Sequence, residues 1–461
     1  MKTVLVIGAG VNGLSAMYEL QKWKTENSSD VKLVLAESSD QLGGKIRTVE
    51  EDGFIMEAGA DSIVTRKAMD MSFLEELGLK EEVIHNAAGR SYIFSEGELK
   101  GIPADAVFGI PASIESLANT PLVSAEGKVE ALKDLYTAHN PFTKNDSIGA
   151  FLEFYFGKEL VEKQIAPVLS GVYSGKLSDL TIASTLPSVY DFKEEYGSII
   201  KGYAANKEKY QSSGDRKFLS FKRGLNTLIH AYERKLEDVE ILKNRKVTSL
   251  TRTGEQYEVV FNKNEKLNAD YVVLSIPHQA AKEIIGDNHI QQQLAKLNNS
   301  SLISVYVGFN VPDDILPADG TGFIAANNAE LSCNACTWTS RKWIHTSEAR
   351  NLLVRLFYKS SNPSFAKVKE MSEKELLALA LVDIEKSLHI KAEPISSEVT
   401  KWTEQMPTYM IDHPQTIAQL EELLAVTYPG VYIAGSSYYG SGIPDCIENG
   451  ENVARDIIRK L

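Results

Sequence analysis

An α/β plus α+β architecture is predicted by three observations. The apolar run "VLVI" at 4–7 leads into the turn "GAGVNG", a helical pattern follows, and "VKLVLAE" at 31–37 completes a β-α-β opening. From residue 70 to about 205 the texture becomes helical, as in "SIGAFLEFYFGKELVEKQIAPVLSGVYSG", with Pro and Gly between segments. Short strands then dominate up to about residue 360, and the chain ends in a strand, a glycine-rich turn and a helix. This order implies a discontinuous Rossmann-like domain built from 1–70, 215–285 and 400–461. A mainly helical insertion over 71–214 and an antiparallel-sheet domain over 286–399 interrupt it.

The elements follow in order. A strand at 3–7, a helix at 13–24 and a strand at 31–36 open the chain, followed by a Gly-Gly turn. "GIPADAVFGIPASIESLANTPLV" reads as a loop and helix, because prolines and acidic residues interrupt what would otherwise resemble a membrane-docking segment. The polar stretch "ANKEKYQSSGDRK" near 205–217 reads as a linker and "FKRGLNTLIHAYERKL" as a helix. Strands follow up to the apolar "YVVLSIP", then "SLISVYVGF", "TGFIAA", "LSCNACTW" and "NLLVRLFY", with a helix around 372–388. A closing helix starts near Ile443-Pro444-Asp445. "CNAC" has the spacing of a redox or metal motif, but it falls in a strand-like stretch and no second pair completes a zinc site, so Cys333 and Cys336 read as sheet residues.

Composition narrows the function. At 461 residues more than one domain is expected, and 43% hydrophobic with 24% charged residues suits a globular chain. The net charge of −13 argues against nonspecific nucleic-acid binding. Three cysteines, no signal-like start and no apolar run long enough to span a bilayer imply a cytoplasmic protein with at most peripheral membrane contact.

The opening turn carries the chemistry. In "VIGAGVNGLSA", Gly8 permits a tight turn, Gly10 lets a pyrophosphate approach the backbone and Gly13 lets helix and strand pack closely. The helix N-terminus offers free N–H groups to that anion. Glu37, ending the second strand, suits a ribose diol and would repel a 2′-phosphate, so the ligand is a dinucleotide carrying ADP rather than NADP. No second GxGxxG is present for a nicotinamide cofactor, and no metal or haem motif appears. Electrons would then come from an organic substrate and leave to molecular oxygen, or to a quinone or protein.

"SSDQLGGKIRT" after Glu37, "EAGADS" at 57–62 and "VYIAGSSYYGSGIPDCIENG" at 431–450 resemble the flavin segments of the amine oxidase and phytoene desaturase superfamily. Together with "APVLSGVYSGKLSDLTIASTLP", "CTWTSRKW" and "KWTEQMPTY", they resemble HemY-type bacterial protoporphyrinogen/coproporphyrinogen oxidases along essentially the whole chain. The resemblance implies a p-hydroxybenzoate hydroxylase/amine oxidase type of fold, non-covalent FAD, and oxygen-dependent six-electron oxidation of coproporphyrinogen III in haem biosynthesis, with release of hydrogen peroxide. Protoporphyrinogen IX remains the alternative substrate, and the next haem-pathway enzyme is a conceivable partner.

The resemblance carries FAD contacts onto Gly8, Ala9, Gly10, Val11, Asn12 and Gly13, onto Glu37, Ser38 and Lys45, and onto Gly59, Ala60, Asp61 and Ser62. It adds Val247 against the adenine, Trp402 beside the flavin, and Ile443, Pro444 and Asp445 at its pyrimidine end, where a helix N-terminus suits negative charge. For substrate carboxylates it points to Lys67, with Arg66 and Arg90 as further cations, and to Val172 as apolar wall. The flavin N5 accepts the hydride, so no catalytic side chain and no metal ligand are expected, and His278 reads as structural. Two rivals stand: a flavin amine oxidase, in which Trp402 and Tyr438 or Tyr439 would flank the flavin, and a non-catalytic carrier or sensor.

Overall fold

The computed structural model describes residues 1–65, 71–87, 89–172, 176–211, 218–326, 330–410 and 412–461. Its nucleotide-binding part is a five-stranded sheet in the order Glu240–Leu242, Val31–Ala36, Lys2–Ile7, Tyr271–Leu274, Val431–Ile433. All four pairings are parallel. Parallel strands need covering on both faces, and the opening run alternates accordingly. Val4 and Val6 face a core shared with the helices Val11–Glu26 and Ile443–Ile458. Leu5 and Ile7 face the opposite core, built with the strand Gln256–Phe261 and the helix His413–Thr427. Residues from the two ends of the chain thus share one layer.

A second sheet has seven strands, ordered Pro394–Thr408, Asn298–Pro312, Asn351–Lys359, Ala335–Thr337, Gly320–Ala325, Arg90–Ser95, Glu98–Gly101. Every pairing is antiparallel except Gly320–Ala325 with Arg90–Ser95. One face, with Val305, Leu356, Phe323 and Tyr92, packs on the helix Glu373–Leu388. The other face carries half-buried residues, including Leu302, Phe357, Ala335, Thr337 and Trp402.

The boundaries differ from the sequence reading in three places. The strands Arg90–Ser95 and Glu98–Gly101 fall inside the span read as helical insertion but extend the seven-stranded sheet. The two form a local hairpin, but it joins the sheet through Gly320–Ala325, more than two hundred residues away, so no local pattern announces that pairing. The strand Pro394–Thr408 runs through the expected boundary at 399/400. The expected linker begins with a helix, Lys207–Gln211, while 212–217 lie outside the described residues.

The insertion is otherwise helical, with the long helix Ile148–Leu160 burying Phe151, Leu152, Tyr155 and Phe156. Its core also holds a fully buried ion pair, Lys193 to Asp134 at 3.2 Å. Asp134 further accepts from the backbone N–H groups of Ile199 and Ile200 at 2.9 and 3.0 Å, so the charge is hydrogen-bonded as burial demands. Among the described residues no helix is long and apolar enough to cross a membrane, and no cluster of His, Cys, Asp or Glu could hold a metal ion.

Candidate active site

A cleft of about 390 Å³ runs along the carboxyl ends of the parallel strands, where open α/β sheets bind ligands. Its wall begins at the glycine turn. Gly8 has φ +99°, and a Cβ there would lie 2.3 Å from the Ser275 carbonyl oxygen. A Cβ on Gly13 would lie 2.0 Å from the Gly8 carbonyl oxygen, so that glycine is spent on helix–strand packing. Gly10 differs: a Cβ there meets nothing within 4 Å, and the residue faces the cleft. The helix Val11–Glu26 starts at this point with no side-chain cap and no acidic residue in its first turn. Open space against uncapped N–H groups fits a pyrophosphate.

Glu37 is buried at the end of the second strand. One carboxylate oxygen accepts from the Ala9 N–H at 2.9 Å and the other from the Ser39 N–H at 2.9 Å and the Ser38 hydroxyl at 3.0 Å. These bonds fix Glu37, Ser38 and Ala9 as one unit, and Glu37 and Ser38 line the cleft with Val247, Arg245 and Lys246. Ala9 and Gly13 lie behind the surface rather than on it. Asn12 lines it, but its side-chain amide donates to the Cys446 carbonyl at 2.8 Å and to the Asn449 side chain at 2.7 Å, tying the two core helices together.

The inner end is formed by Lys45, Ala60, Trp402 and Ile443. Burial holds the Lys45 ammonium below its usual range, against the opposing influence of Cys446. The Trp402 indole N–H donates to the Ala58 carbonyl at 3.0 Å, which fixes the ring beside the segment 57–62. Gly59 packs so closely that a Cβ would lie 1.9 Å from the Lys45 carbonyl oxygen.

Behind that segment sits a charged cluster. Arg355, 2% exposed, donates to the Gly59 carbonyl at 3.0 Å and stands 3.7 Å from the Asp61 carboxylate. Lys342 pairs with Asp61 at 2.8 Å. Burial alone would raise the Asp61 pKa, but Lys342 and Arg355 together hold it below the usual carboxylate range. Asp61 and its hydrogen-bonded neighbour Ser62 therefore belong to the support of the cleft, not to its lining. Burial pushes the neighbouring Glu57 up to about 8, against hydrogen bonds from the Leu225 N–H and the Thr48 hydroxyl.

At the last strand, Ala434, Gly435, Ser436 and Ser437 line the cleft, as do Ser275, Ile276 and Pro277 after the strand Tyr271–Leu274. The sequence placed 434–437 within a flavin segment without naming those residues, and it did not select Ser275, Ile276 and Pro277, although the parallel-sheet rule points to both strand ends. Pro444 and Asp445 lie off the lining surface. The Asp445 carboxylate accepts from the Gly442 N–H at 3.3 Å, so one of the donors at this helix end already has an anionic partner. Cys446 lines the cleft, forms no disulfide and has its thiol 3.5 Å from the Gly440 carbonyl oxygen.

The substrate-side expectations fare unevenly. Arg66 and Lys67 lie outside the described residues, as does the side chain of Val172, at the end of the helix Ala166–Val172. Arg90 is corrected. It pairs with Asp319 at 2.7 Å and stacks 5.1 Å from the Tyr92 ring, on the sheet face turned away from Trp402. Strand alternation puts Arg90 on the same side as Tyr92 and Phe94, at the exposed end of the strand. His278 is buried, its backbone N–H donates to Ser437, and burial pushes its ring down to about 4, so it is neutral at pH 7. Tyr438 is buried in the core and Tyr439 donates to Glu421 at 2.5 Å, so neither lines the cleft with Trp402.

Comparison with known proteins agrees with this geometry. The family described as flavin containing amine oxidoreductase matches residues 12–458. The coproporphyrinogen III oxidase of Bacillus subtilis (strain 168) is 34% identical, over 100% of this chain and 98% of its own length. That of Staphylococcus aureus is 30% identical, over 100% of both chains. A crystal structure from Exiguobacterium sp. 255-15, assigned as a protoporphyrinogen oxidase, superposes with a TM-score of 0.90 at 30% identity, over 100% of this chain and 99% of its own. The uncapped helix start, the space at Gly10 and the continuous wall from Glu37 to Trp402 fit FAD. The chain belongs to the flavin-containing amine oxidoreductase family and is an FAD-dependent oxidoreductase.

Proposed function

We propose that this protein oxidises coproporphyrinogen III to coproporphyrin III, removing six electrons in three pairs and passing them to molecular oxygen as hydrogen peroxide. The observation that carries this reading is the match to the B. subtilis coproporphyrinogen III oxidase along the entire chain. FAD, when bound, would supply the two-electron acceptor for the macrocycle.

The protein's own part is to bind, orient and support. Trp402, fixed through Ala58, forms the wall between cleft and sheet. Leu302, Phe357, Ala335 and Thr337 offer a half-buried, mostly apolar surface to a tetrapyrrole. No lining side chain is required as an acid or base. His278 is a neutral imidazole at neutral pH, not an imidazolium acid, and Glu57 is enclosed by Thr48 and Leu225. Protons released from pyrrole nitrogens pass to water.

Lys67 and Arg66 are proposed to contact carboxylate arms, and Val172 to supply apolar wall. Lys67→Glu should lower turnover while leaving the spectrum of bound FAD intact; unchanged kinetics would remove Lys67 from the site. The proposed setting is the cytoplasm, with the next haem-pathway enzyme receiving the product. Protoporphyrinogen IX is the second reading, favoured by the assignment of the Exiguobacterium protein. Oxidation of both porphyrinogens side by side, followed by porphyrin fluorescence, tests the choice. Faster turnover of coproporphyrinogen III supports the first reading, and faster turnover of protoporphyrinogen IX supports the second.

A further inference from the structure

One cation on the half-buried face of the seven-stranded sheet, Lys359, stands outside the lining of the cofactor cleft. Trp402 pairs in register with Leu302, and Leu302 pairs on its other side with Lys359. Residues directly opposite one another across antiparallel strands project to the same side. Trp402, Leu302 and Lys359 therefore form one cross-strand row on the face away from the helix Glu373–Leu388. Two strand spacings, roughly 10 Å, separate its ends. One end lines the cofactor cleft. Phe357, the next residue on this face of the Lys359 strand, is half-buried and extends the apolar floor.

The Lys359 ammonium lies at the seam between sheet and helical insertion, 3.4 Å from the Ser170 carbonyl oxygen on the helix Ala166–Val172. An ammonium at the end of an apolar cross-strand row suits a flat apolar ring with an anionic arm at its rim. Burial also holds this ammonium below the usual lysine range, and an incoming carboxylate would offset that cost. Low local polarity strengthens such a pair relative to one at the surface.

We propose that Lys359 receives a carboxylate arm of the porphyrinogen and thereby sets how the macrocycle lies against Trp402. The proposal rests on the porphyrinogen reading above. Binding, not electron transfer, is its role, so its loss should appear in KM more than in kcat.

The test compares coproporphyrinogen III with its uncharged tetramethyl ester, on wild-type holoenzyme, Lys359→Met and Lys359→Arg. The expected result is a KM for the acid raised roughly tenfold or more in Lys359→Met, from loss of a charge-assisted hydrogen bond. The KM for the ester should be unchanged, the bound-FAD spectrum intact, and most of the acid's affinity retained in Lys359→Arg. Equal changes for acid and ester, or none for either, would overturn the proposal. If Lys359→Met fails to retain FAD, Lys359→Gln carries the same comparison. A wild-type enzyme that oxidises neither compound overturns the porphyrinogen reading itself, whereas wild-type turnover with an unselective variant overturns only the role of Lys359.

Discussion

Gly10 and Gly13 carry opposite burdens, although both belong to one sequence motif. A side chain on Gly13 would collide with the Gly8 carbonyl within the protein itself, whereas one on Gly10 would enter only the space kept for the ligand. Gly13→Ala is expected to destabilise the fold by about 2 kcal/mol or more, read by thermal unfolding of the apoprotein. Gly10→Val should leave apoprotein stability nearly unchanged and weaken FAD binding by about tenfold or more, read by titration, for a lost close approach to a charged group. The motif was legible in sequence because its spacing is local; the division of labour within it was not. Glu57 was legible only as part of "EAGADS". Its carboxyl, about 8 in the fold, lies above its ordinary value of 4.5, so the neutral form is the one the fold favours. The stability it contributes is full below pH 4.5 and is lost as pH rises toward 8. Glu57→Gln should flatten that part of the stability–pH curve, by up to a few kcal/mol. A slope unchanged in the variant would rule out Glu57 as its source.

At the scale of elements, the segment 57–62 is held from behind by Arg355, which reaches it from a strand nearly three hundred residues later. Removing one partner of a buried charge pair is costly, so Arg355→Met is expected to lower stability by about 3 kcal/mol and to loosen FAD, read by denaturant unfolding and flavin fluorescence. An unchanged unfolding midpoint would show that Lys342 alone suffices for Asp61. The opening β-α-β unit, the strand Tyr271–Leu274 and the closing helix could be read from apolar runs and glycine turns, since each is encoded within about twenty residues. Arg355 could not be found that way: in "NLLVRLFYK" it looks like a surface residue of an alternating strand, yet its charge is buried against Gly59 and Asp61. The side of the sheet on which Arg90 lies was hidden for the complementary reason. A basic residue in sequence says nothing of its side of a sheet until the register is known, and here the register turns it toward Asp319.

For the whole molecule, the cofactor cleft joins pieces of chain from both ends and the middle, since residues from the stretches 8–12, 37–46, 245–247, 275–277 and 434–446 contribute to its lining. FAD should therefore act as a stabilising ligand of the entire nucleotide-binding part. Excess FAD at about a hundredfold over its Kd is expected to add roughly 3 kcal/mol to the apoprotein, and acid precipitation should release the flavin intact. A yellow pellet would instead point to a covalent link, with Cys446 the cysteine in reach of the cleft. The architecture was legible from the order of its segments, while the shared seven-stranded sheet, whose strands come from 90–101 and 298–408, depends on contacts that sequence patterns do not encode. The most direct measurement supplies purified holoenzyme, under air, with coproporphyrinogen III, protoporphyrinogen IX and a polyamine in parallel, following porphyrin fluorescence and peroxide. The account expects rapid appearance of coproporphyrin with peroxide and no response to the polyamine. Peroxide from the polyamine, with porphyrin forming no faster than in enzyme-free air, would contradict it.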